Sequence, residues 1–225
     1  MSELSRRAVV GVLKFQAFLA LLILLPSWTL RYPEAWIYWA LFSTSVLAIT
    51  LHFLRHDPGL IARRLEVGPG AEPARSQQII QAVAGALFAA LFVVAGLDRR
   101  LHGSVVPMPL VLAADGLVLL AFLIIFLVFR ENSHTGGVVQ VEAGQRVIAT
   151  GPYRWVRHPM YAGSALLFLA TPLALGSTWA LVVAVALCAA MVVRLLDEER
   201  ILSADLPGYD DYRREVRHRL VPRVW

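Results

Sequence analysis

Cysteine occurs once in the 225 residues, at Cys188 inside an apolar run, which excludes an internal disulfide and any cysteine-rich metal site. Charge is scarce too: 16% of the residues are charged, against about 25% in an ordinary soluble domain, while 58% are hydrophobic. That balance is the composition of an integral membrane protein. No G-x-G-x-x-G, Walker or H-E-x-x-H pattern is present, so the familiar nucleotide and zinc sites find no support. Four of the six histidines are too scattered to argue a metal centre, and no metal site is expected. There is no internal repeat and no low-complexity segment. The net charge of +5 is spread over connections and a tail in an otherwise lipid-soluble chain, which makes nucleic acid an unsuitable partner.

What the chain does have is long apolar runs. Six are marked, at about 8–30, 35–54, 79–97, 109–129, 161–175 and 178–196. Five are near the ~20 residues that cross about 30 Å of hydrocarbon. The fifth run, at 161–175, is shorter, spans only about 22 Å as a helix, and is expected to start back at Pro159. With Gly176 and Ser177 between them, the last two runs predict a tight helical hairpin. The fold class expected is all-α: a polytopic membrane helix bundle of about six spans, with a cytosolic loop and a C-terminal interfacial helix ending at Pro222. The opening SRRAVVGVLKF is superficially like a signal, but its apolar run continues to Leu30 without a small-residue cleavage site, so a retained first span is expected.

Seventeen of the 21 Lys and Arg residues fall in the N-terminal segment, two connections and the tail that would share one membrane face. Only Arg31, Arg99 and Arg100 fall on the other side, and Lys14 lies within the first run. This bias predicts that both termini, and the polar loop before the fifth run, are cytoplasmic.

Reactive groups concentrate in GPYRWVRHPMYAG, residues 151–163, where an apolar run follows at once. Pro159 suits the first turn of a helix, which makes His158 the expected N-cap, at a helix end that attracts anions. An interfacial anchor of Tyr153, Arg154, Trp155 and Arg157 is the bland alternative. The polar loop from Arg130 to this motif has some thirty residues, long for a mere connection, and VVQVEAGQRVIAT within it has the alternation of a short extended pair. The second cluster is RLLDEERIL, residues 194–202, where Arg194 and Glu198 stand at i and i+4 on one helix face. They would either bind ligands or merely pair with each other. The Pro- and Gly-rich connection 56–78 contains an amphipathic piece, GLIARRLEV, to which no catalytic role is assigned. Asp115 interrupts the fourth run, as a functional acid or as a group near a helix end that reaches water.

Taken together, GPYRWVRHPMYAG, a hairpin, R-x-x-x-E-E-R-x-L and a Y-x-x-Y…VP tail resemble the superfamily of isoprenylcysteine carboxyl methyltransferases and phospholipid methyltransferases. The resemblance runs from about Arg130 to Trp225. The apolar runs make residues 1–130 N-terminal transmembrane helices, the resemblance makes 131–225 the methyltransferase catalytic region, and the two are expected to form one structural unit. The resemblance also implies S-adenosylmethionine as cofactor, bound at Tyr153, His158, Pro159, Met160, Tyr161 and Glu198, at Gln145, Arg146, Val147 and Ile148 chiefly through backbone, and at Gln140. Arg194 matches the arginine at the substrate end, so Arg194 and Glu198 are the expected catalytic pair. The acceptor implied is a lipophilic small molecule or lipid: an isoprenylcysteine-like carboxylate or a phospholipid amine. Two rivals stand beside this reading, an NADPH-dependent sterol reductase-type enzyme with an RHPxY-like signature, and a non-catalytic membrane protein that keeps the fold.

Overall fold

The computed structural model describes residues 2–65, 68–72, 74–101, 103–138 and 145–225. Among these, eight α-helices and two short 3-10 turns form, and no strand. The helices are α1 (Glu3–Ser27), α2 (Pro33–His56), α3 (Pro58–Leu65), α4 (Arg75–Leu101), α5 (Met108–Glu131), α6 (Pro159–Ala174), α7 (Ala180–Asp205) and α8 (Tyr209–Glu215). Five of them, α1, α2, α4, α5 and α7, are long and apolar enough to cross a membrane. The sixth apolar helix, α6, has 16 residues and starts at Pro159 as the sequence predicts.

Most of each long helix points away from the bundle, as lipid-facing helices do, and exposed residues such as Leu21, Leu112 and Val182 face outward. The inner faces meet in one core built from all six apolar helices, with Leu19, Ile23, Tyr38, Phe42, Phe92, Val118, Phe122, Leu167 and Leu187 fully or almost fully buried. Between apolar helices, close approach needs small residues. At Gly96 a Cβ atom would lie 2.5 Å from the Ile23 carbonyl oxygen, so α4 can meet α1 only with glycine there.

The α6–α7 connection turns at Gly176, whose φ of +67° favours glycine, and Tyr32 donates to the Leu175 carbonyl from the neighbouring loop. The hairpin forms as expected, with α6 also packed on α5 and α7 on α4. Toward the end away from the turn, a cleft opens between α6 and α7.

A second cluster, of Ala8, Phe53, Leu60, Ile61 and Phe129, joins the start of α1 to the end of α2, α3 and the end of α5. The N-terminus, the 56–78 connection, the polar loop and the tail therefore share one end of the bundle. The amphipathic piece is the helix α3, which buries Leu60 and Ile61 there. At the opposite end Asp98 accepts from Ser177 and Ser104, both at 2.5 Å, and ties two connections together.

Three expectations are corrected. The tail helix ends at Glu215 rather than Pro222, because the carbonyls of Val216, Arg217, His218 and Arg219 are taken by Arg157 and His158. Asp115 does not reach water: it is buried, and among the described residues neither carboxylate oxygen has a hydrogen-bond partner. Residues 145–149 carry no regular structure, and the other half of the expected extended pair, 139–144, lies outside the described residues.

Candidate functional site

The cleft between α4, α6 and α7 is a cavity of about 620 Å³, within the roughly 300–1,000 Å³ usual for small-molecule sites. Its depth follows from helical spacing. Ile80, Ala84 and Phe88 of α4, Tyr161, Ser164 and Phe168 of α6, and Leu187, Met191, Arg194 and Glu198 of α7 line it at intervals of three or four residues. Polar groups gather where the loops converge, and apolar ones line the wall toward the middle of the bundle.

The 151–163 motif builds the polar end. The 3-10 turn Gly151–Arg154 aims Tyr153 inward, where its hydroxyl accepts from Asn132 at 2.9 Å and burial pushes its phenol above the ordinary value. Arg154 and Trp155 stack on each other in the open, as the anchor reading has it. Arg157 and His158 turn inward instead. Arg157 Nε donates to Glu199 at 2.8 Å, and its Nη1 reaches the Val216 and Arg217 carbonyls, both at 2.9 Å. His158 does occupy the N-cap of α6, but its side chain makes no capping bond. Its Nε2 lies 3.1 Å from Glu199 Oε1, a stronger attraction than a backbone donor supplies. Arg219 holds the other Glu199 oxygen at 2.9 Å. The expected anion site at this helix end is therefore already filled by a protein carboxylate.

Glu198, one residue earlier, faces the cavity and accepts from the Tyr161 hydroxyl at 2.5 Å. Arg194 does not pair with it. Its Nη2 donates to Glu72 at 2.7 Å and to the Gly137 carbonyl at 3.1 Å, while its Nη1 is buried with no hydrogen-bond partner among the described residues. Gln81 completes that network, bonding Glu72 and the Gly137 carbonyl. Tyr209 and Tyr212 of α8 close the cavity over Val147 and Tyr153, and burial raises both phenols so that they stay neutral.

Of the residues expected from the sequence, Gln145, Arg146, Val147, Ile148, Tyr153, His158, Pro159, Met160, Tyr161, Arg194 and Glu198 all line this one cavity. Gln140 lies outside the described residues. Arg64 and Gln81 line it as well, and Glu72 holds Arg194, so the 56–78 connection and α4 contribute to a site from which the sequence reading had left them out. Glu199, Tyr209 and Tyr212 were also missed; only the YxxY spacing in the tail pointed toward the last two.

No curated protein matches this chain. The part of the chain that supplies α5, α6, α7 and the loops joining them, residues 110–205, matches the family model for phospholipid methyltransferase, and that family is part of the superfamily of integral membrane methyltransferases that the motifs resemble.

Proposed function

We propose that this protein is an S-adenosylmethionine-dependent methyltransferase whose acceptor is a lipophilic molecule that reaches the cavity from the bilayer. The observation that carries it is a single cavity with two chemically distinct walls: Glu198, Tyr161, Tyr153 and the 145–148 backbone at one end, and an apolar stripe between α4, α6 and α7 at the other. The residues fit the cofactor's groups. Glu198 keeps acceptor capacity for an ammonium or ribose hydroxyls.

Bound S-adenosylmethionine supplies a methyl group already activated by its sulfonium, so the chain needs no metal and no covalent nucleophile for this transfer. What remains for the protein is alignment and exclusion of water. Tyr209, Tyr212 and Tyr153 cover the polar end, Arg194 orients the acceptor, and Glu198 anchors the cofactor. A carboxylate acceptor would be gripped by the arginine fork, whereas an amine would pass its proton to Glu198.

Equilibrium binding of S-adenosylmethionine and of NADPH to the detergent-solubilised protein tests this reading. Saturable binding of the first and none of the second is expected. The reverse would point to a reductase, and neither to a non-catalytic protein.

The cavity end of the bundle is assigned to the cytoplasm from the Lys and Arg bias. In a Cys188→Ser background, Val105→Cys should label only from outside and Arg223→Cys only from the cytoplasm; the opposite pattern would invert the topology.

A further inference from the structure

Among the arginines that line the cavity, one lies outside the region that the family model matches. Arg64 is at the end of α3, ahead of the matched region, and lines the cavity beside Arg194. Two successive carbonyls hold the pair: Gly136 accepts from Arg64 Nη1 and Gly137 from Arg194 Nη2, each at 3.1 Å. The Arg64 guanidinium is also stacked over the Phe129 ring, 4.9 Å from its centre.

Among the described residues the charges do not balance. Glu72 answers Arg194, Glu198 is engaged by Tyr161, and Glu199 by Arg157, His158 and Arg219. Among the described residues Arg64 has no carboxylate within ion-pair distance, and Arg194 Nη1 has no hydrogen-bond partner. Burial and the neighbouring Arg194 lower the Arg64 guanidinium to about 10. A half-buried cation so placed is costly until an anion answers it.

We propose that Arg64 and Arg194 form a paired guanidinium site for an anionic group, carboxylate or phosphate, on the lipophilic acceptor, and that Arg64 thereby sets acceptor specificity. The word acceptor rests on the methyltransferase reading; the anion site does not. Glu72 and Gly137 occupy one face of Arg194 and leave its Nη1 free, while Gly136 and Phe129 fix the plane of Arg64. Planar forks of this kind match the geometry of carboxylate and phosphate oxygens. The apolar stripe of Ile80, Ala84, Phe88, Phe168 and Leu187 begins beside them and suits an alkyl or prenyl chain.

The test uses the full chain in a neutral detergent, with dodecanoate, dodecyl phosphate and dodecanol as probes and S-adenosylmethionine binding measured in parallel. At least one anionic probe should bind the native protein tenfold or more tightly than dodecanol, and high salt should erode the difference. The better of the two anions says whether the head group is a carboxylate or a phosphate. Arg64→Gln, which keeps a donor for the Gly136 carbonyl, should remove most of that preference while changing the Kd for S-adenosylmethionine less than threefold. Equal binding of dodecanol and both anions to the native protein overturns the proposal without any variant. So does a folded Arg64→Gln protein that keeps the preference. Loss of S-adenosylmethionine binding alone, with the anion preference intact in the native protein, would remove the methyltransferase reading and leave the anion site standing.

Discussion

Glu199→Gln is expected to destabilise the protein by about 3–5 kcal/mol, the usual cost of removing one partner from a buried ion pair. The Glu199 side chain is 6% exposed and meets Arg157, His158 and Arg219 at 2.8, 3.1 and 2.9 Å. Arg157 is equally buried, so the amide leaves its charge without a counter-ion and turns a donor toward donors. Denaturant unfolding in detergent would measure the loss. A variant as stable as the native protein would show that the tail does not depend on this carboxylate. Glu198→Gln is the control one residue away, because the Tyr161 hydroxyl can still donate to the amide oxygen.

The second large effect separates binding from turnover. Glu198→Gln should raise the Kd for S-adenosylmethionine roughly ten- to a hundredfold, since a hydrogen bond to a charged group contributes about 1.5–3 kcal/mol. Arg194→Lys should leave that Kd nearly unchanged and slow methyl transfer to a lipid extract, because lysine keeps the charge but loses the planar fork. The two residues do not pair across their helical turn; each has its own partner, Tyr161 or Glu72. Their variants should therefore behave differently. Two silent mutants, or two that lose cofactor affinity alike, would sink the division of labour.

Much of the architecture was legible because lipid imposes a simple rule. Long apolar runs mark α1, α2, α4, α5 and α7, and Pro159 marks the first turn of α6. What sequence spacing could not decide was direction. Glu198 and Glu199 are adjacent, and a helix turns about 100° between them, so one faces the cavity and the other a buried arginine. Position along the chain does not say which. His158 was placed correctly at its N-cap, yet its imidazole follows a carboxylate 41 residues away. Arg64 and Glu72 were hidden for another reason: the segment 56–78 is punctuated by proline and glycine, and its contribution arises only because α3 folds under the polar loop.

The contacts of residues 216–219 also set an order in time. Arg157 is bound to carbonyls 59 and 60 positions further on and to a carboxylate 42 positions further on. A chain that emerges from its N-terminus can insert and pack all six apolar helices before residue 216 exists. Bringing such distant segments together costs little extra entropy, because closure penalties grow only with the logarithm of length. The cleft can thus form before its roof, so emergence of residues 209–219, rather than insertion of the apolar helices into the bilayer, is the event that brings the finished cavity into being.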